Sequence, residues 1–212
     1  MTRLRLMTLL LAVALIAGAA STVGAVLWLT SEPEPPLNGT WLPGGRPLPE
    51  VTLIDHRGEP LSTRDLQGEW HFLFFGFTHC PDVCPVTLAD LAGAWERLEA
   101  EGVAADTGML FISVDPARDT PERLASYVTH FHPEFTGATG DRAALDRLTK
   151  ALGIAYTVHD EGGGDSYSVD HSSAVLLINP AGRLQAVFQP PHGRRVLAGD
   201  YLRMRERYGE EG

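Results

Sequence analysis

Six residues, WHFLFF at 70–75, constrain this chain more than any others. All but one are apolar, four are aromatic, and such a run is suited to a strand buried on both faces of a sheet. The loop FTHCPDVCP (77–85) follows at once. Beyond Pro85, residues Leu88, Leu91, Trp95 and Leu98 recur at 3-4-3 spacing, the inward face of an amphipathic helix that Gly102 ends. A strand, a tight loop and a helix in that order place the loop at the carboxyl end of the strand. Open α/β sheets bind their ligands at that end.

The rest of the chain extends the same alternation. Val51–Ile54 and Leu61 flank a glycine turn and read as a short hairpin. Met109–Val114 (MLFISV) is a second buried strand. Thr120 and Pro121 supply an N-cap and first-turn proline to a helix with Leu124, Tyr127, Val128 and Phe131 inward. Asp141 caps another helix through Leu145, Leu148 and Leu152, closed by Gly153. Tyr156–Val158 suggests a strand before the acidic loop DEGGGD (160–165). Ala174–Ile178, the turn NPAG and Leu184–Phe188 form a strand pair, and a last helix aligns Leu197, Tyr201, Met204 and Tyr208. The expected architecture is α/β: a thioredoxin-like mixed sheet flanked by helices, with the reactive loop between a central strand and the helix it feeds.

The first thirty residues differ in kind. Leu6–Leu29 holds no charged side chain over 24 residues; as a helix it would cover about 36 Å, enough for a hydrocarbon core of about 30 Å. Arg3 and Arg5 predict that the short N-terminal side stays cytoplasmic and that the bulk of the chain is exported. AGAAS (17–21) offers the small residues of a signal-peptide cleavage site, yet apolar residues run on through Leu29. The expectation is therefore a retained N-terminal transmembrane helix over residues 1–30. It implies a single-pass protein of a bacterial-type inner membrane, with its soluble domain facing the periplasm. Residues 31–49 carry six prolines and three glycines and read as an extended tether. Residues 50–208 remain as one domain of ordinary size. Beyond residue 30 the chain has 15 Lys and Arg against 27 Asp and Glu, a net charge of −12. That balance argues against nucleic acid as a partner and against adhesion to an anionic lipid surface.

Cys80 and Cys84 are the only cysteines, and three residues separate them. Thioredoxin-type redox pairs are separated by two, and a structural zinc site usually needs more sulfur than this chain owns. A disulfide between them would close too short a loop to restrain the unfolded chain much. The start of the helix favours a thiolate, which serves a redox cysteine and a metal ligand equally. Pro81 and Pro85 stiffen the loop. Of eight histidines, His171 stands apart, because it precedes the strand Ala174–Ile178. In a thioredoxin-like sheet that segment lies against the cysteine loop. By position alone His171 reads equally as a ligand or as an ordinary loop histidine. Two thiolates with one imidazole would suit Cu(I), or Cu(II) with one added donor. Zinc would want a fourth ligand, for which His79, Asp82 and Asp119 are candidates.

Three blocks, GFTHCPDVCP (76–85), SVDPARDTPE (113–122) and YSVDHSS (167–173), resemble in order and spacing the signatures of the Sco/SenC family. The resemblance runs over about residues 45–190. Its members are membrane-anchored, thioredoxin-fold copper proteins of cytochrome c oxidase assembly. It implies that Cys80, Cys84 and His171 ligate one copper, as Cu(I) or Cu(II). It implies delivery to the CuA centre of oxidase subunit II, with other copper chaperones or thiol reductants as further partners. The same cysteines could form a redox disulfide and reduce those of the CuA site. A thiol–disulfide oxidoreductase that carries no copper is thus the alternative function, and a peroxidase of the same superfamily fits the residues less well. As a chaperone site the loop implies no turnover of a small substrate, while a thiol–disulfide reductase activity stays open. Asp119 is a candidate for orienting the loop, although RDTPE also has an ordinary explanation as a helix start.

Overall fold

The computed structural model describes residues 7, 13, 15–22, 37–159 and 167–211. It divides into two compact units, Met1–Pro36 and Leu37–Gly212.

In the first unit, residues 15–22 are helical, and the Thr22 hydroxyl hydrogen-bonds to the carbonyls of Gly18 and Ala19. Among the described residues no helix is long and apolar enough to cross a membrane. The expected transmembrane helix over 1–30 is corrected on this ground, and with it the single-pass inner-membrane placement. Residues 6, 8–12, 14 and 23–29 of that stretch lie outside the described residues.

Among the described residues of the second unit, ten strands and four α-helices follow in the order β1 (Thr40–Pro47), β2 (Thr52–Asp55), β3 (Pro60–Ser62), β4 (Trp70–Gly76), α1 (Val83–Ala100), β5 (Thr107–Ser113), α2 (Pro121–Phe131), β6 (Thr136–Thr139), α3 (Arg142–Leu152), β7 (Tyr156–His159), β8 (Ser168–His171), β9 (Val175–Asn179), β10 (Arg183–Phe188) and α4 (Arg194–Glu211). Eight strands form one mixed sheet in the order β1-β10-β9-β4-β5-β6-β2-β3. β4, β5 and β6 run parallel to one another, and the remaining pairings are antiparallel. β7 and β8 make a separate hairpin in which His171 lies opposite Tyr156.

The central strand β4 divides its side chains between two cores, as the period of two requires. Phe72 and Phe74 face α1, α2 and α4, where Leu88, Leu91, Trp95, Leu124, Val128, Leu197 and Tyr201 are buried. Leu73 and Phe75 face the opposite side, against Leu145, Leu148 and Leu152 of α3. Helices on both faces of a partly parallel sheet leave the carboxyl ends of β4 and β5 as the open edge. Cys80 packs against both cores, at the seam where the two faces of the sheet meet.

The expected caps are present. Thr120 accepts a hydrogen bond from the Arg123 N–H with Pro121 in the first turn, Asp141 accepts from the Ala144 N–H, and α3 closes at Gly153. The segment expected as a tether is partly folded, since Thr40–Pro47 pairs with β10. An edge strand tolerates Pro43 and Pro47 because one of its rows of N–H groups needs no partner. Gly44 and Gly45, at φ +72° and +61°, carry the register shift between Trp41 and Arg46. The loop DEGGGD lies outside the described residues.

Candidate metal centre

The cysteine loop is built by β4 and α1 together. β4 ends at Gly76, and α1 begins at Val83, so Cys80 belongs to the loop and Cys84 to the first helical turn. Cys84 is fully buried and its sulfur lies hard against Gly76. A Cβ on Gly76 would stand 2.7 Å from Cys84 Sγ and 2.8 Å from a ring carbon of Phe111. Both atoms sit in packed surroundings that cannot yield cheaply. Gly76→Ala is therefore expected to lower stability by about 1–3 kcal/mol and to displace the Cys84 sulfur. Denaturant unfolding of the metal-free chain reads the first effect; an unchanged midpoint would show that the strand end gives way.

Asp82 stands at the N-cap of α1 without a side-chain cap bond. The Cys80 sulfur takes that place, accepting the Cys84 N–H at 3.4 Å. Cys84 Sγ lies 3.2 Å from His171 Nε2. The other ring nitrogen, His171 Nδ1, is 3.0 Å from the Ser172 carbonyl, which can only accept. Nδ1 therefore carries the proton, and the Nε2 lone pair faces the sulfurs. Phe74 and Phe77 hold the imidazole edge-on, with ring centroids 6.1 and 5.8 Å away. The sulfurs and one ring nitrogen of Cys80, Cys84 and His171 all lie within 4.8 Å of one another.

The two thiols are electrostatically unequal. Hydrogen bonding from Cys84 brings the Cys80 pKa down to about 4 against opposing desolvation, helped by the backbone N–H groups of Asp82 and Cys84. The Cys84 thiol is pushed up, first by its hydrogen bond to Cys80 and then by burial. One proton thus serves a pair of sulfurs, with Cys80 the thiolate and Cys84 the thiol. Because folding lowers the Cys80 pKa, its contribution to stability is complete above the unfolded thiol pKa and is lost as pH falls through about 4. Iodoacetamide should alkylate Cys80 before Cys84. Its rate should change less than about twofold between pH 6 and 8, where an ordinary thiol would gain nearly 100-fold. A rate at Cys80 that climbs tenfold per pH unit would rule out the thiolate.

Asp119 is wholly buried beneath this loop. Its carboxylate accepts hydrogen bonds from the Thr78 N–H (2.9 Å), the Thr78 hydroxyl (2.6 Å) and the Ser113 hydroxyl (2.5 Å). It therefore faces the cysteine loop rather than the helix start that RDTPE suggests. Arg118 pairs with Asp115 at 2.5 Å, stacks 3.6 Å above the Tyr167 ring and donates to the Tyr167 carbonyl at 3.0 Å. The Tyr167 hydroxyl donates to Asp115 in turn. That cluster fastens the segment leading into β8, and so His171, to the end of β5. Gly76, Thr78, Ser113, Asp115 and Tyr167 all fall within the three quoted blocks, yet sequence reasoning gave Thr78, Ser113, Tyr167 and Gly76 no role. Only Gly76, a glycine ending an otherwise bulky strand, carried a signal of close backbone approach.

Two soft sulfurs and one imidazole nitrogen at low coordination number fit copper, Cu(I) above all. None of the zinc fourth-ligand candidates joins the three. His79 groups instead with Asp115 and Asp119, whose carboxylates are already engaged by Arg118, Tyr167, Thr78 and Ser113.

The chain is similar to known proteins over most of its second unit. A family model described as SCO1/SenC matches residues 47–205. A protein of Stutzerimonas stutzeri is 42% identical over 150 residues, 71% of this chain and 72% of that one. The mitochondrial SCO2 homolog of Bos taurus is 40% identical over 133 residues, 63% of this chain and 50% of that one, so the chain spans about half the length of this relative. The crystal structure of Arabidopsis thaliana ScoI with copper bound superposes with a TM-score of 0.70 at 34% identity, covering 76% of this chain and 99% of that one. With a match that runs from the end of β1 into α4 and encloses every residue of the three-donor cluster, this chain belongs to the SCO1/SenC family.

Proposed function

We propose that this chain is a copper carrier. It takes up one copper per chain through Cys80, Cys84 and His171 and passes it to the CuA centre of cytochrome c oxidase subunit II. The observation that carries this reading is the convergence of three lone-pair donors around a single shared proton. A soft cation can take that proton's place without rebuilding the loop. Family membership and a copper-bound relative of like fold support the choice of metal. Cys80 is half-buried and the site offers three ligands only, so an acceptor thiolate can add to the metal before a donor leaves. Exchange of that kind suits a carrier.

A second reading is favoured by the thiolate character of Cys80 beside a protonated, buried Cys84. The pair can reduce the disulfide of a CuA site. Cys80 attacks one partner sulfur and Cys84 then displaces the partner from the mixed disulfide, so that two electrons and the pair's one proton pass to the partner cysteines, which take any second proton from solvent. Both cysteines are free thiols in this structure, the reduced state that either use requires.

The two readings are tested with the full chain and a CuA domain of subunit II. Under the first, the chain binds one Cu(I) and transfers it to the reduced, metal-free domain. A stoichiometry that stays at one in Cys80→Ser, Cys84→Ser and His171→Ala alike would overturn it. Under the second, the copper-free chain reduces an oxidised CuA domain, and His171→Ala does so as fast as the parent.

A further inference from the structure

His192 stands outside all three signature blocks, in the short connection between β10 and α4, and none of the chemistry above uses it. It is only 8% exposed. Its Nε2 lies 2.7 Å from the carbonyl of Ser173, two residues beyond His171. A carbonyl can only accept, so Nε2 carries the proton and donates. His192 Nδ1 is then an acceptor, and it is buried without a partner. An apolar side chain would fill the same space and leave no orphaned nitrogen. What only the imidazole supplies is the Nε2–H to Ser173.

The segment it grips is the one that aims His171. On the near side, Ser172 is fixed by two bonds to Ala155: its N–H donates to the Ala155 carbonyl at 2.8 Å, and its hydroxyl accepts the Ala155 N–H at 3.1 Å. On the far side the fixed point is the His192 bond to Ser173. Between them lies the Ser172 carbonyl that receives His171 Nδ1–H and sets the ring's orientation. That carbonyl lies in the peptide plane joining Ser172 to Ser173, oriented by ψ of Ser172 and φ of Ser173, and the His192 bond restrains it from the Ser173 side. The connection bearing His192 is itself tied to α1, since the Gly193 N–H donates to Asp90 at 3.2 Å. The helix that carries Cys84 and the turn that carries His171 are thereby joined through one histidine.

We propose that His192 is a positioning residue for the metal centre, holding the His171 turn against the cysteine loop through its Nε2–H. The inference rests on the copper reading for one of its two readouts and is independent of it for the other. The test compares the full-length parent chain with His192→Phe, which keeps ring bulk without the donor, and His192→Gln, which keeps an N–H. In the metal-free chains, the amides of Ser172 to Ala174 should exchange with deuterium about tenfold faster in His192→Phe and within about twofold of the parent in His192→Gln. In the copper-loaded chains, His192→Phe should release Cu(I) to a chelator about tenfold faster, the lower end of what groups that orient a ligand contribute. It should also shift the Cu(II) electron paramagnetic resonance signature, while His192→Gln leaves it in place. Exchange rates in His192→Phe equal to the parent, or His192→Gln as impaired as His192→Phe, would overturn the proposal. A parent that takes up no copper would defeat the copper reading, and the exchange experiment would still decide the role of His192. Should His192→Phe fail to fold, His192→Ala with and without free imidazole replaces it. Slow exchange restored by imidazole is expected, and no response to imidazole overturns the proposal.

Discussion

Cys84→Ser is expected to abolish tight copper binding, lowering Cu(I) affinity by well over 100-fold. Removal of a group that merely orients a ligand costs about 10–100-fold, and a lost thiolate must exceed that. Serine cannot substitute, because an alcohol is a hard donor that stays protonated at neutral pH, whereas Cu(I) selects soft thiolates. The buried setting of Cys84 makes the loss harder to repair, since no water reaches its position to fill the vacant coordination place. His171→Ala should behave differently with valence. Two thiolates alone form the near-linear site that Cu(I) accepts, so Cu(I) affinity should fall much less than in Cys84→Ser. Cu(II) prefers a higher coordination number with nitrogen or oxygen donors, and its binding should be lost. Competition against a chromophoric Cu(I) chelator and titration with Cu(II) followed by visible absorption measure the two effects. Unchanged affinity for both valences in His171→Ala would place the imidazole outside the coordination sphere.

That asymmetry also shows how far the sequence alone could reach. The strands β4, β5 and β9 were legible because burial on both faces leaves uninterrupted apolar runs. The starts of α2 and α3 were legible because Thr120 and Asp141 are caps with a local mechanism. β6 (TGAT) was not, because Gly137 must stay small where Leu124 and Val128 of α2 pack on it, so the strand shows no bulky pattern. β1 was hidden by prolines that only an edge position tolerates. The cysteine pair announced itself by spacing and flanking prolines, while His171 remained ambiguous until a family resemblance singled it out. Its place is decided by pairing with β7 and by the Ser172 and Ser173 carbonyls, contacts that leave no periodic trace. Asp119 was masked by an ordinary explanation, since an acid before a capped helix needs no further reason. The structure turns that acid toward Thr78 and the cysteine loop.

Asp119→Ala tests that orientation and is expected to have the largest effect on stability outside the cores. The carboxylate gathers three donors from two separate segments, Thr78 in the cysteine loop and Ser113 at the end of β5. Ser113 in turn accepts the Asp115 N–H at 3.0 Å, so the loss would propagate into the turn that holds Arg118 and Tyr167. Removing a charged acceptor and stranding its buried donors costs about 3 kcal/mol once water reaches the half-exposed Thr78. For a domain of this size that is a fall of about 6–12 °C in the thermal midpoint. Asp119→Asn should cost less, because the amide keeps the shape and one oxygen while turning its NH2 toward a donor. The contrast with a bystander acid is clear, since exposed carboxylates at helix starts contribute only about 0.3–1 kcal/mol. A midpoint in Asp119→Ala within 2 °C of the parent would return Asp119 to that lesser role. A large fall would mean that the cysteine loop is held from below by a buried anion. The half-exposed Cys80 could then stay in register with Cys84 and His171 while its sulfur remains within reach of a partner.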